Sequence, residues 1–418
     1  MARKHRLAWS LLAILASAPL QAQMAPATST GTTPANAVPS SLPSGQPAPA
    51  SPLVDQPAST AKPSWWDAFK DPKDGDVDML RWLLQHKGAL LVPIIITEPA
   101  VGTGGGLAAV FFQRPPQSEA SKERGDRIPP NIYGVGAFKT ENGTWGFGGG
   151  GSFHFKDDTW RYAALAGKAS VNLDFYTQGL LQESRKIGYN LDGVFAYQQV
   201  SRRLGHSDWF ASGRWIYMDL DSRLNLQSDH QYFQPKDFAS RASGLGLGLS
   251  YDSRDNTLTP SKGWLWRLEG TAYAPAFGSD NTFQTYRTHV YGYLPIAQTW
   301  VLGLRADVRS ARGETPFYQL PSIDLRGISY GRYQDENVGM IEAELRWNLT
   351  PRWALVGFGG AGKAWGRRVD FGDADTHATE GVGFRYLIAR ALGLYVGLDW
   401  ARSADDHAYY IQVGSAWR

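Results

Sequence analysis

The sequence predicts an all-β protein that crosses a membrane as a transmembrane antiparallel β-barrel of about 16 strands, preceded by a disordered N-terminal lead. The 418 residues include 46 glycines and 13% aromatic residues. Polar and apolar residues alternate with period two along most of the chain, and the apolar faces often end in Trp or Tyr. An apolar outward face, aromatic girdles and a polar interior are the pattern of a transmembrane barrel.

Charge and cysteine content exclude several classes of function. The formal net charge of +3 is small and evenly spread, so no nucleic-acid partner is expected. The absence of cysteine excludes disulfides, thiol catalysis and thiolate metal sites. The eight histidines are scattered without a pair four residues apart. We therefore expect no metal site and no cofactor.

The first 87 residues predict three segments. Residues 1–22 form a secretory signal peptide, because a basic start is followed by an apolar run too short to span a bilayer. Residues 23–63 are rich in Ala, Pro, Ser and Thr and predict a disordered spacer. Residues 64–87 predict a short helical segment. Its spacing suits a periplasmic helix, and Trp65 and Trp66 suit an interfacial one equally well.

Residues 88–418 form the predicted barrel. Its first hairpin is predicted at Ala89–Thr97 and Leu107–Gln113, because prolines and glycines argue against a transmembrane helix there. Its last strand is predicted to place Trp417 on the same outward face as Tyr409, Ile411 and Val413. The longest connections, at about 225–240 and 311–337, are candidates for external or inward-folded loops.

Three motifs that match enzymes lack the required context. Residues 327–331 match G-x-S-x-G, but no helical pattern follows them, as a nucleophile elbow requires. Residues 146–151 and 357–362 match a dinucleotide fingerprint, but both lie inside predicted strands. No enzymatic activity is expected.

Several motifs occur in the order found in one family. The stretch from Leu320 to Gly327, continuing to Tyr333, resembles the inward loop of the BamA/TamA outer-membrane family, the bacterial surface antigen superfamily. The hairpin at 252–263, the glycine-rich 358–362 and the C-terminal strand are similar to other elements of that family. Two departures are Ile328, where an aromatic is usual, and Gly360, where an Asp is usual. The chain resembles a barrel of the family that lacks the periplasmic POTRA modules.

The resemblance implies a pinned loop in a barrel of the outer membrane of a Gram-negative bacterium. Arg326 and Gly327 would hold the loop inside through lumenal carboxylates, with Glu344 the first choice of partner and Asp399 the second. A guanidinium suits such a bidentate pairing, which is stronger out of bulk water. The alternative is that Arg326 is an exposed loop cation.

The resemblance further implies a role in inserting proteins into the outer membrane or moving them across it. The device would be a weak seam between the first and last strands, marked by Pro93 and Trp417. Alternatively, Pro93 only marks the start of its strand. The expected partners are outer-membrane lipid, client proteins and a periplasmic protein bound by the N-terminal lead. Two rival functions remain open, namely a passive pore or structural barrel, and an adaptor that acts through the lead.

Overall fold

The computed structural model describes residues 69–71, 73–78, 89–96, 102–113, 115–123, 128, 131–178, 184–225, 238–328, 331–404 and 406–417. The predicted signal peptide and spacer lie outside this part of the chain, as does most of the predicted helical segment. The described piece of that segment is a turn closed by a bridge between Lys70 and Val77.

The described chain folds into one nearly closed antiparallel sheet of 16 strands, each paired with the next along the sequence. The predicted barrel is therefore confirmed. A short helix, α1 (Glu119–Glu123), follows the second strand. Among the described residues, no helix is long and apolar enough to cross a membrane. The strands are β1 (Leu90–Ile96), β2 (Gly104–Gln113), β3 (Asn131–Thr140), β4 (Trp145–Phe155), β5 (Trp160–Gln178), β6 (Ser184–Arg203), β7 (Trp209–Asn225), β8 (Phe238–Asp252), β9 (Gly263–Tyr273), β10 (Phe283–Pro295), β11 (Trp300–Gly313), β12 (Asn337–Asn348), β13 (Trp353–Trp365), β14 (His377–Ala389), β15 (Leu394–Ser403) and β16 (His407–Val413).

The period-two pattern sorts side chains between lipid and lumen. On β12, Ile341 and Leu345 are exposed on the outside, while Glu342 and Arg346 are buried on the inside. Successive side chains of a strand point to opposite faces, so one strand supplies both surfaces. The glycine fingerprints at 146–151 and 357–362 lie inside β4 and β13, which is not the helix-start context that a nucleotide site needs.

The two ends of the barrel differ. Short turns join β12 to β13 and β14 to β15 at the end where β1 begins and β16 ends, which we call the turn end. The connection between β11 and β12, residues 314–336, belongs to the opposite loop end. Short turns face the periplasm in outer-membrane barrels. Aromatic rings gather at the turn end, including Trp300 stacked on Trp347 at 5.1 Å, as a girdle requires.

Strand length varies strongly around the barrel. A crossing needs about 9–11 residues, whereas β5, β6 and β7 have 19, 20 and 17. This hairpin region therefore extends beyond the membrane at the loop end. By contrast, β1 and β16 have only seven residues each. The two edge strands are thus the shortest strands of the sheet that the structure describes.

Candidate functional site

Three acidic side chains line the lumen on the β12 and β15 side. Glu342 and Glu344 are two residues apart on β12 and so share its inward face, and Asp399 lies on the inward face of β15. The side chains of Glu342 and Asp399 are completely buried. A buried carboxylate needs a charged or hydrogen-bonding partner to offset its lost hydration. This acidic group therefore calls for a cation inside the barrel.

Arg385 of β14 supplies one such cation, with its Nη2 2.9 Å from Asp399 Oδ2, and Arg326, in the inward-folded loop, supplies another. Its Nη1 lies 2.7 Å from Glu344 Oε2 and 2.8 Å from Asp399 Oδ2, and its Nε donates to Glu342 Oε1 at 2.9 Å. The guanidinium carbon also lies 3.5 Å from the centre of the Phe358 ring. The structure thus brings Arg326 together with both carboxylates expected from the sequence, and it adds Glu342, which sequence reasoning missed.

Gly327 joins the loop to the last two strands. Its backbone φ of +91° is one that residues other than glycine rarely adopt. A Cβ here would lie 2.9 Å from the backbone carbon of Arg402 on β15. Its backbone N–H donates to the Tyr410 hydroxyl of β16 at 3.0 Å. The Arg-Gly pair therefore needs glycine both for its conformation and for this close approach.

A second layer of charges supports the loop from β11. Arg305 Nη1 lies 3.3 Å from Glu342 Oε2, and Arg305 also donates to the Asp324 backbone oxygen at 3.0 Å. Arg309 Nη2 bonds both Asp307 at 2.9 Å and Asp324 at 2.8 Å. Because Asp324 belongs to the loop and the other four residues belong to strands, the network fixes the loop at a second point.

An apolar seat explains how the loop tolerates the two departures from the family pattern. Ile328, where an aromatic is usual, is buried in a cluster with Ile323, Leu325, Val338 and Met340. At Gly360, where a carboxylate is usual, a Cβ would lie 3.1 Å from Leu325 Cδ2. The position that lacks the carboxylate is therefore covered by a loop side chain.

The prediction for Trp417 is wrong. β16 ends at Val413, and Gly414, with a φ of +82°, redirects the chain into the barrel. Trp417 is 3% exposed and lies against Tyr291 and Tyr293 on the lumenal face of β10. Its Nε1 donates to Glu342 Oε2 at 2.7 Å. Trp417 therefore lies not on the lipid face but in the same charge network as the pinned loop.

No pairing links β1 to β16 in the part of the chain that the structure describes, so the sheet has an open seam there. Pro93 is the fourth of the seven residues of β1, not its first, and lies opposite Leu107 of β2. Proline has no N–H, so it removes one donor from the middle of an edge strand. The side chains of Leu91, Ile95 and Tyr409 are exposed on the outward faces of the two edges.

The segment before the barrel carries a second ionic site that sequence reasoning missed. Arg352, in the turn between β12 and β13, lies 2.6 Å from Asp71, 2.8 Å from Asp74 and 3.0 Å from Asp78. Arg390, after β14, lies 3.2 Å from Asp71 and also pairs with Asp74. The acidic spacing of residues 71–78 was the available signal, but nothing in the sequence named its partners.

We expect this ionic site to survive mild acid. The hydrogen bond from Arg352 lowers the pKa of Asp74 from 3.8 to about 2. Because the pKa of the docked form is the lower one, the contribution of Asp74 is complete above about pH 3.8 and is lost as the pH falls through 2. A spin label at Lys73→Cys should keep its mobility from pH 8 to pH 5. A mobility change centred above pH 4 would contradict this assignment.

Comparison with known proteins agrees with the fold. The Omp85 superfamily domain model matches residues 168–401. The chain therefore belongs to the Omp85 superfamily, an outer-membrane β-barrel family, and the resemblance seen in the sequence is confirmed. No curated protein matches the chain in sequence.

Solved structures show the same architecture at low sequence identity. BamA from Haemophilus ducreyi lacking POTRA domains 1–3 is 13% identical with a TM-score of 0.53, covering 79% of this chain and 70% of that one. CdiB from Escherichia coli is 13% identical with a TM-score of 0.56, covering 78% and 62%. CdiB from Acinetobacter baumannii is 11% identical with a TM-score of 0.52, covering 78% and 60%.

Proposed function

We propose that this barrel has no enzymatic activity and helps proteins insert into or cross the outer membrane of a Gram-negative bacterium through the seam between β1 and β16. The observation that carries the proposal is the order of the sheet, which runs from β1 to β16 without a pairing between those two strands in the described chain. Unpaired backbone groups are costly in hydrocarbon. The seam is therefore the place where β1 and β16 can pair with the backbone of a client protein.

The chemistry of the seam suits a client that is itself a β-strand. An edge strand presents a row of free N–H and C=O groups, which an extended segment can pair with by adding a strand. The seven residues of β1 and of β16 offer few such groups, so the pairing is weak enough to release a client. Membership of the Omp85 superfamily and the pinned loop support this proposal over an unrelated barrel function.

The pinned loop argues against the rival function of a passive pore. Loop residues occupy the lumen beside β11, β12 and β15 and are held there by Arg326 and Asp324. A cavity of about 100 Å³ remains between Arg326 and Trp417, which is room for a few water molecules. In planar bilayers we expect a barrel that is mostly closed with rare openings. A large steady conductance would favour the passive pore.

The proposed partners are outer-membrane lipid around the outward apolar faces, client proteins at the seam and a periplasmic protein bound by the N-terminal lead. The proposal of a periplasmic partner rests on residues 24–63, which lie outside the described residues. Deleting them should remove a co-purifying periplasmic protein if the lead is an adaptor. Insertion of clients should be unchanged by the same deletion if the lead is only a spacer.

Depletion of the protein followed by a proteome of the outer membrane tests the proposed function. Specific barrel or surface proteins should fall in abundance, and a plasmid copy of the wild-type gene should restore them. An unchanged outer-membrane proteome would rule out an assembly function and leave the passive or structural barrel.

Replacing Pro93 with alanine should lower activity, because the variant regains an N–H in the middle of the edge strand and the seam closes more tightly. We expect the depletion-sensitive outer-membrane proteins to be restored less well than by the wild type. Pro295→Ala is the matched control, since Pro295 ends β10 away from the seam. Full restoration by Pro93→Ala would show that Pro93 does not weaken the seam.

A further inference from the structure

The inward face of the first strands differs from the rest of the lumen. Their outward side chains, such as Leu91, Leu107 and Phe147, are exposed on the lipid side. The inward positions of β1–β4, which we call the uncharged wall, hold no Asp, Glu, Lys or Arg in the part of the chain that the structure describes. One row of paired inward residues crosses this wall and continues onto β5 and β6, namely Val92, Ala108, Gly136, Gly148, Gly167 and Phe195.

A charged wall, formed by the inward residues of β10–β12, lies across the lumen. In a nearly closed ring of 16 strands, β10, β11 and β12 are half a turn away from β2, β3 and β4. The charged wall includes Arg287, Arg305 and Glu342, and the pinned loop is held against it through Asp324. Because the interior of a membrane barrel is ordinarily polar, it is the uncharged wall that departs from the usual pattern.

Curvature of the sheet accounts for only part of this composition. A Cβ at Gly106 would collide with the backbone oxygen of Ala137 on the next strand, so glycine is required there. The glycine-rich motif at 146–151 belongs to the same curved region. However, Ile94 and Ala108 carry side chains, remain partly exposed to the lumen and are apolar as well. An apolar surface open to water is a common mark of a binding site.

We propose that the uncharged wall binds an amphipathic β-strand of a client, which lays its apolar face on β1–β4 and turns its polar face towards the charged wall. The proposal rests on the proposed function and names its class of substrate. Successive side chains of a strand point to opposite faces, and strands of membrane barrels are apolar on one face and polar on the other. The two walls therefore match the two faces of one extended segment.

The uncharged wall reaches the seam. Val92 and Ile94 lie on β1, whose outward side chains Leu91 and Ile95 face lipid. Every residue of β1 is apolar, so a strand that leaves the wall at this edge meets no charged side chain of β1 on its way to lipid. The wall thus shields the apolar face of the client from water until the free edge of β1 pairs with the client backbone.

The test uses the full chain in detergent micelles, and its lack of cysteine allows a single fluorescent label to be placed freely. A label at Ala108→Cys lies on the uncharged wall. A label at Ala109→Cys is the matched control, because the next residue of β2 points to the lipid side. The probe is a synthetic peptide of residues 337–348, a barrel strand with one apolar and one charged face. A second peptide has the same composition but carries its charged residues on both faces.

We expect the alternating peptide to shift the emission of the Ala108→Cys label to the blue with saturation and to leave the Ala109→Cys label unchanged. It should bind about tenfold more tightly than the rearranged peptide, because only one of the two can bury a face without charges. No saturable response at position 108, an equal response at position 109, or equal affinity for the two peptides would each overturn the proposal.

A charge on the uncharged wall should weaken binding. With the label on the peptide, Ala108→Glu should raise the dissociation constant about tenfold, since an unpaired carboxylate would face the apolar side of the strand. Ser212→Glu is the matched control, because it adds the same charge to the lumenal face of β7 near Arg267. Unchanged affinity of a folded Ala108→Glu variant would contradict the proposal. If that variant does not fold, the label experiment decides alone.

Failure of this inference and failure of the proposed function give different results. Binding of the alternating peptide at position 108, in a protein whose depletion leaves the outer-membrane proteome unchanged, would support the uncharged wall as a binding site and refute the insertion function. Loss of clients on depletion, with no response at position 108, would support the insertion function and refute the binding site.

Discussion

An Arg326→Ala variant should lose about 3 kcal/mol of unfolding free energy, because three lumenal carboxylates lose the cation that they share. Glu342 and Asp399 are fully buried, and Glu344 is mostly so. Arg305 still pairs with Glu342 and Arg385 with Asp399, but Glu344 keeps only Arg385 at 3.9 Å. Removing one partner from a buried ionic network costs far more than the pair itself contributes. The loop should also loosen in its seat, where it would then be held by Asp324, by the hydrogen bond from Gly327 to Tyr410 and by the apolar cluster around Ile328.

Heat-dependent migration on gels and denaturant unfolding in lipid vesicles measure this loss. Arg332→Ala is the matched control, because Arg332 lies in the same loop but is substantially exposed and pairs with Asp406. It should cost about 1 kcal/mol or less. Arg326→Lys should recover only part of the stability, since a single ammonium cannot reproduce the planar guanidinium contacts. Equal stability of Arg326→Ala and the wild type would show that the loop is not pinned by charge.

A Trp417→Ala variant should lose about 3–5 kcal/mol, the usual cost of deleting a buried tryptophan. The ring packs on Tyr291 and Tyr293 and approaches Gly303 closely, so alanine would leave a cavity at the turn end. Glu342 would also lose the hydrogen bond that the indole N–H donates to it. Because Trp417 and Arg326 share Glu342, the loss should extend to the loop.

Trp417→Phe separates these two contributions. The variant keeps an aromatic ring against Tyr291 and Tyr293 but loses the N–H and part of the volume of the indole, and Glu342 still has both Arg305 and Arg326. We expect a loss of about 1–2 kcal/mol, which combines the net value of one hydrogen bond with a small packing defect and stays below that of Trp417→Ala. Wild-type stability in Trp417→Ala would mean that the C-terminal residues do not anchor β16 in the lumen.

The fold was predictable because alternate residues of each barrel strand face lipid and lumen, which makes apolar and polar residues alternate in the sequence. Ile341 and Glu342 show it on β12, where neighbouring residues face lipid and lumen. The same rule failed at Trp417, because it assumes an extended chain. Gly414 keeps the alternation in the sequence while its positive φ turns the backbone inward. Glycine is frequent on the lumenal face, so this one carried no distinguishing signal.

The site was predictable only where a sequence motif or the alternation of inward and outward residues along a strand indicated it. The loop motif indicated Arg326 and Gly327, and the alternation along β12 indicated that Glu344 faces the lumen. The same alternation places Glu342 on the inward face beside Glu344, so the contact between Arg326 and Glu342 could also have been inferred. The contact between Asp74 and Arg352 could not, because the two residues are 278 positions apart and meet only in the folded structure.

A disulfide across the seam tests the central claim most directly. One cysteine in β1 and one in β16, in the pair that oxidises most completely, would join the edges of a chain that has no cysteine of its own. A cysteine pair at Leu245 and Ala272, which face each other on β8 and β9, is the control away from the seam. The account predicts that the oxidised seam pair abolishes client insertion, that reduction restores it and that the control pair has no effect. Full activity with the seam locked would contradict it.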